Sequence, residues 1–360
     1  MRSDVLNLNL LKNLTIVIPT YKRQKFITRT MQYWSGKDVA IIVIDGSKKS
    51  LDTNILNQLK TNIKYIHSPK SYYERLLSVI NLINSQYVMM GCDDEFYIPS
   101  ALNSCLVKLS LDNQLVTCTG RAIEFNWQNG LVVGSKVYER LKDLNLDNHN
   151  PNDRIIKHFS NYTPTHFYGI CRTSIWKIAA QTTFSKEYSF FASMELQIEF
   201  LLLFAGKTLV IPELLWLRSD EAEPLRGTTS SMDPNYKISQ WWYEKKNKNQ
   251  KEDFLIRMAT ACMEINKLNN EYHSANIQRA FEIYLKKQKL PLFIKISTYL
   301  PSFIKDRIKK FLKIFGYGVR KKTLLIDIAQ SLKVSGVKVD FSELKLIHKI
   351  ISSYYESLSK

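Results

Sequence analysis

The stretch VMMGCDDEFYIP, residues 88–99, sets Asp93, Asp94 and Glu95 in a row directly behind an apolar run. Two settings can hold mutually repelling charges at the end of a buried strand. A solvated acidic turn tolerates them. A bound hard cation such as Mn2+ or Mg2+ requires them, because such ions prefer carboxylate oxygens and complete their shell with substrate phosphates. Three further groups carry chemistry of a compatible kind. Asp45-Gly46-Ser47 offers a carboxylate to a base or ribose, or is a plain Asp-Gly turn. Pro19-Thr20-Tyr21 offers a hydroxyl and an aromatic face, or simply stops a strand. Arg75 is placed either to meet a phosphate or to sit as an ordinary exposed helix arginine.

The elements that must position these residues follow from hydrophobic runs. LTIVIP (14–19), VAIIVID (39–45), IKYIHS (63–68) and QYVMMG (86–91) read as buried parallel strands. Helix-like segments separate them, among them YKRQKFITRTMQYWSG, stopped at Gly36, and YYERLLSVINLINS (72–85). This alternation predicts an α/β fold whose mainly parallel sheet has right-handed crossovers, with ligands beyond the carboxyl ends of the strands. The three polar motifs fall on that one rim, which favours a cation site over a turn for the acidic triplet. Farther along, strands are expected at 115–120 and 131–138, a strand running into a helix at 165–179, a helix at 194–205, and a strand from 207 into a polar loop. Past about residue 238 the chain becomes Lys-rich and helical, with a last strand signal at VSGVKVD (334–340). The expected division is therefore a sheet domain over 1–238 and a basic helical region over 239–360.

The 360 residues are 45% hydrophobic and carry a formal net charge of +18, which suits a globular core and polyanionic partners. Five scattered cysteines without ligand spacing point to free thiols in a reducing compartment. The opening MRSDVLNLNLLKN lacks the continuous apolar core of a signal peptide, and no apolar run reaches the length of a membrane span. A cytoplasmic location is the expectation. Nucleic acid is disfavoured as a partner, since the aromatics follow no RNA- or DNA-reading pattern. A nicotinamide dehydrogenase is excluded because no G-x-G-x-x-G follows the first strand.

Taken together, IVIPTYKR, IIVIDGS, the Arg75 region and MMGCDDE resemble the nucleotide-binding half of a family 2 glycosyltransferase of GT-A fold, over roughly residues 13–225. The resemblance implies a mixed, mainly parallel sheet flanked by helices, with the helical extension appended at the C-terminus. It also implies a nucleotide-sugar donor, with a UDP-sugar favoured, and an Mn2+ or Mg2+ cofactor. Pro19, Thr20, Tyr21 and Asp45 would line the base and ribose pocket, with Arg23, Arg75 and Asp94 on the nucleotide side. Asp93 would face the ribose or the metal, and Glu95 would be a metal ligand. Members of that family carry a catalytic acid about eleven positions before a Gly that precedes a strand and a Pro. Here Gly206 precedes KTLVIPE, and 206 − 195 = 11 designates Glu195 as the base for an inverting transfer. A helix-start acid favoured by the dipole is the plainer account of the same residue.

This chain departs from the family pattern at several of these positions. Glu95 and Glu195 stand where the family usually has Asp, and Met194 replaces the acid before the base. Asp220 occupies the place of a His two positions after Arg218, and is assigned as an oxygen ligand. The loop through Glu221, Glu223, Arg226, Thr228 and Thr229 is then a lid or an ordinary surface loop. His166, a single histidine near the acceptor side, ranks as structural.

In 301–316, Ile304, Ile308, Phe311, Leu312 and Phe315 fall on one helical stripe, and Lys305, Lys309, Lys310 and Lys313 on the other side. Such a helix suits an anionic membrane surface, engaged through 285–322, or packs on the protein's own core. Membrane contact would accord with a lipid-linked saccharide as acceptor, with a peripheral site on the inner face of the cell membrane, and with a role in surface polysaccharide (capsule, O-antigen or lipopolysaccharide) synthesis. The competing reading is a GT-A domain that has lost its chemistry and serves as a basic module for membrane or nucleic acid.

Overall fold

The computed structural model describes residues 9–144, 146–221, 238–267, 274–287 and 322–358. Strands β1 (Leu14–Thr20), β2 (Ala40–Asp45), β3 (Ile63–His67) and β4 (Tyr87–Met90) pair in parallel in the order β3-β2-β1-β4. They coincide with the four predicted runs. The sheet continues antiparallel through β8 (Ile170–Arg172) to β6 (Leu115–Gln128), then to β7 (Leu131–Lys136) and β10 (Thr323–Leu324). Strand β9 (Lys207–Ser219) lies parallel to β6, and β5 (Phe96–Tyr97) pairs with β9 at Trp216 and Leu217. The result is the expected α/β architecture: a mixed sheet, most of its ladder parallel, flanked by helices.

Side chains alternate across a strand, so each run that looked uniformly apolar feeds two cores. Leu14, Ile16, Ile18, Ile41, Val43 and Met89 face one side. They pack with α1 (Gln24–Trp34), α4 (Pro99–Leu111), α11 (Leu325–Val334) and α12 (Phe341–Leu358). Val17, Ile42, Ile44, Val88 and Met90 face the other side. Their partners are α3 (Tyr72–Val79), α5 (Pro151–Ser160), α6 (Thr173–Phe184), α7 (Ser193–Ala205), α9 (Lys248–Asn266) and α10 (Ser274–Lys287). The described helices beyond residue 238 thus add to both cores: Trp241, Phe254 and Phe281 join the second, and Leu344, Ile347 and Ile351 the first. Two short helices, α2 (Thr53–Asn57) and α8 (Ile238–Tyr243), complete the set.

Local chemistry sets the boundaries. A capping box starts α3: Glu74 N donates to Ser71 Oγ, and Ser71 N donates to Glu74 Oε2. That helix ends at Val79, where a 3-10 turn over Ile80–Leu82 replaces the rest of the predicted 72–85 helix. The strand signal at 334–340 also gives way. Gly336, at φ 88°, turns the chain between α11 and α12, and Lys338 makes a lone bridge to Glu213.

Candidate active site

The loops after β1, β2 and β3 are tied into one rim. Lys22, at φ 57°, bends the chain after Tyr21, and its N–H donates to Ser47 Oγ at 2.9 Å. Gly46 N–H donates to Thr20 O at 3.0 Å. Arg75 is buried and holds both strand ends, donating from Nη1 to Thr20 O at 2.7 Å and to Ile44 O at 3.0 Å. Its guanidinium lies against Gly46 so closely that a Cβ there would stand 2.5 Å from Arg75 Cζ. The exposed helix arginine of the plainer reading is therefore corrected: Arg75 fastens the rim from within.

Asp45 is corrected as well. Its Oδ1 accepts the Ser47 N–H and its Oδ2 the Tyr65 hydroxyl, both at 2.7 Å, and it lies wholly buried behind the cleft it was expected to line. The carboxylate builds the turn that sets buried Gly46 against the cleft and carries Lys48 to the surface. It offers the cleft no free oxygen.

All three members of the acidic triplet are buried. Asp93 accepts from Thr20 Oγ1 at 2.7 Å, while Arg23 Nη1 sits 3.2 Å from both Asp93 Oδ1 and Asp94 Oδ2. Glu95 turns the other way, its Oε2 accepting from Trp216 Nε1 at 2.6 Å, because β5 pairs Tyr97 with Trp216. Burial, and then the neighbouring Asp94 charge, push Asp93 up to about 6 and Glu95 up to about 8. Burial pushes Asp94 up too, against the pull of Arg23 and Arg29.

Asp93 and Asp94 therefore share Arg23, and Glu95 has no ion pair among the described residues. Arg29 reaches the Asp94 backbone oxygen at 3.1 Å but is matched by Glu221 at 2.6 Å, and Arg218 is matched by Glu124 at 2.7 Å. An all-oxygen, under-neutralised donor set fits a hard divalent cation, with Asp93 and Asp94 as the members nearest the rim. Asp220 was assigned to that set. Instead its side chain is 47% exposed and pairs with Lys322 at 2.7 Å. The next acid, Glu221, is the one turned inward onto Arg29, whose guanidinium also packs against Phe26, Phe96 and, from α12, Tyr354.

Beside this rim opens a cleft of about 510 Å³. Of the candidate site residues, Pro19, Thr20, Tyr21, Arg23, Arg75 and Asp93 line it, whereas Asp45, Asp94, Glu95, Glu195 and Asp220 do not. Sequence reasoning missed Lys48, Lys70, Tyr72, Glu187 and Phe191, which supply cations, an aromatic wall and an acid. The two lysines were findable, since each follows a strand that ends on the rim.

Glu195 lies in the first turn of α7, and Tyr162 O–H donates to its Oε1 at 2.5 Å. Burial pushes its carboxyl up to about 7, with Glu199 adding to the rise and the Tyr162 bond opposing it. The Tyr168 hydroxyl is raised by burial first and then by Cys92, Glu195, Glu95 and Tyr72, and its ring packs on Trp216 with centroids 5.1 Å apart. The segment before it was expected to be strand. Glu199 instead captures the N–H groups of Thr165, His166 and Phe167 on Oε1, at 2.8 to 3.0 Å, and regular pairing starts only at Ile170. His166, read as a single histidine, has His158 beside it, with ring centroids 5.0 Å apart.

Glu223, Arg226, Thr228 and Thr229, the 301–316 stripe and most of 285–322 lie outside the described residues. No helix among the described residues is long and apolar enough to cross a membrane.

No family model and no curated protein matches this chain. Among solved structures, it is similar to Staphylococcus aureus TarS 1–349, at 13% identity over 81% of this chain and 76% of that one, with a TM-score of 0.49. The same TarS segment in complex with UDP-GlcNAc matches at 14% identity, covering 81% and 77% of the two chains, with a TM-score of 0.48. Its complex with UDP matches at 12% identity, covering 82% and 77%, with a TM-score of 0.46. Likeness at this level assigns neither a family nor an activity.

Proposed function

We propose that this chain is a glycosyltransferase of GT-A type that moves a sugar from a nucleotide-sugar donor, a UDP-sugar by preference, to a hydroxyl of a saccharide or lipid-linked acceptor. One observation carries the reading. A cleft at the carboxyl ends of parallel strands combines an aromatic and hydroxyl rim, lysines and Asp93 of an under-neutralised acidic triplet, and a second buried carboxyl, Glu195, is raised to about 7.

In this reading Pro19, Thr20 and Tyr21 receive the nucleoside, and Lys48 and Lys70 attract the diphosphate to the cleft. Asp93 and Asp94, with Glu95 behind them, would hold Mn2+ or Mg2+, which would neutralise the departing nucleoside diphosphate, while Arg23 pairs with both aspartates in the absence of the ion. Glu195 takes the proton of the acceptor hydroxyl as the hydroxyl oxygen attacks the anomeric carbon. The transfer inverts that centre if the base and the leaving group lie on opposite faces of the sugar. Tyr162 and Tyr168 orient the base and screen it from water.

A cytoplasmic enzyme peripheral to the membrane, engaged in surface polysaccharide synthesis, accords with the basic segment 285–322. Absence of binding to anionic liposomes at low salt would remove that part. The site itself is tested by a nucleotide-sugar panel, scoring donor hydrolysis with and without Mn2+, on the wild type, Glu95→Ala and Glu195→Ala. The expected result is loss of metal-dependent donor binding in the first variant and of turnover alone in the second. Full activity in both overturns the site. A binding module without chemistry shows neither UDP-dependent stabilisation nor hydrolysis.

A further inference from the structure

Beneath the acceptor side, three residues distant in sequence meet inside the second core. His158 comes from α5, His166 from the loop before β8 and Glu199 from α7, and all three are fully buried. One ligand atom from each lies within 4.8 Å of the others. Glu199 Oε1 is saturated by three backbone N–H groups, which fixes the carboxylate and leaves Oε2 directed at the histidines. His158 Nε2 approaches Oε2 at 3.0 Å but out of line for a hydrogen bond. All four ring nitrogens and Glu199 Oε2 have no hydrogen-bond partner among the described residues.

Buried polar atoms are paired in the great majority of cases, and each exception asks for an occupant. Here five such atoms belong to two imidazoles and one anchored carboxylate, and one from each residue lies within 4.8 Å of the others, a donor set that one Lewis acid can join. Phe159 and Tyr162 pack their rings on His158 and supply the apolar shell that strengthens such a bond.

We propose that His158, His166 and Glu199 form a structural site for a zinc-class divalent cation, separate from the acidic triplet. Two imidazoles and one carboxylate are borderline donors that suit zinc, whereas Mn2+ and Mg2+ favour the all-oxygen triplet. Three protein donors leave the fourth position to water. None of the three residues lines the main cleft, so the ion fastens α5, α7 and the 165–167 loop, and does not take part in sugar transfer. The proposal stands whether or not the glycosyltransferase reading does.

The test uses the full chain, purified without chelator, with zinc measured by elemental analysis after dialysis. The expected stoichiometry is about one per chain, lost on incubation with dipicolinate together with a fall in melting temperature that added zinc reverses. The Co2+-substituted protein should show the strong visible absorption of a four-coordinate site. His158→Ala and His166→Ala should lose that band and weaken metal affinity by more than about 100-fold, while Asp93→Asn keeps the band. Should the histidine variants fail to fold, the wild-type measurements decide alone. Buried water only, seen as no retained zinc and no shift of melting temperature with zinc or cobalt, overturns the proposal. Full zinc retention in both folded histidine variants overturns it equally.

Discussion

Glu95 and Glu199 are both enclosed by the protein, and burial pushes both carboxyls toward the protonated form. They end on opposite sides of the ordinary value. Glu95 rises to about 8, because burial and the Asp94 charge outweigh the Trp216 N–H, Cys92 and Arg218 that oppose them. Glu199 falls below, because His166, His158 and the backbone N–H of Phe167 outweigh the same desolvation. Donors facing a buried acid, and not burial itself, determine which way its carboxyl shifts: Glu199 is anchored as a charged group, and Glu95 is left short of positive charge.

The largest expected effect comes from removing the Glu199 carboxylate. Glu199→Ala strands three backbone donors and should destabilise the chain by more than about 3 kcal/mol, at roughly 1–3 kcal/mol per unsatisfied group. Urea unfolding measures this, and a change under 1 kcal/mol, on the order of a surface substitution, would contradict the comparison. Glu95→Gln should do the reverse in protein free of ligand and metal. Its amide oxygen still accepts from Trp216 and no carboxyl raised to about 8 is left to ionise, so the melting temperature should hold at neutral pH and exceed the wild type's above about pH 8, as Mn2+-dependent UDP binding is lost.

Glu195 lies between these extremes and gives a pH test. Its carboxyl is raised to about 7, so the proton-accepting form grows as pH climbs through that value, and kcat should rise along one limb there. Tyr162→Phe removes the bond that opposes the rise and should move the limb to higher pH. The raised value also makes stability present below the unfolded pKa of about 4.3 and lost as pH climbs through about 7. Glu195→Gln should flatten that loss in a pH series of melting temperatures. The smallest effect belongs to Asp220→Ala. An exposed pair with Lys322 is worth about 0–1 kcal/mol, and metal affinity should not change. A tenfold loss of Mn2+ binding would restore Asp220 as a ligand.

The rim was legible because each of its parts is contiguous in the chain and punctuates an apolar run: Pro19-Thr20-Tyr21, Asp45-Gly46-Ser47 and Asp93-Asp94-Glu95. Position along the chain was thus visible, but direction was not. Asp45 turns its oxygens into its own turn and Tyr65, and Glu221, not Asp220, points inward, because a strand end can rotate by one residue without leaving a trace in composition. Arg29 was invisible as one arginine in a helix, and its importance comes from α12 and Glu221, far away in sequence. The His158, His166 and Glu199 cluster is of the same kind: it exists only once α5 and α7 are packed. The strand-into-helix expected over 165–179 starts its strand only at Ile170 for that reason too, since a side chain from α7 took the backbone donors of 165–167 first.

Arg29 carries one practical corollary. Its guanidinium joins the acidic motif, through the Asp94 backbone, to Glu221 and to the ring of Tyr354 on the last described helix. Anyone shortening this protein to its sheet for crystallisation or display would strip that aromatic cover and wet the cation behind the triplet. The damage would register as impaired catalysis with the cleft residues all intact.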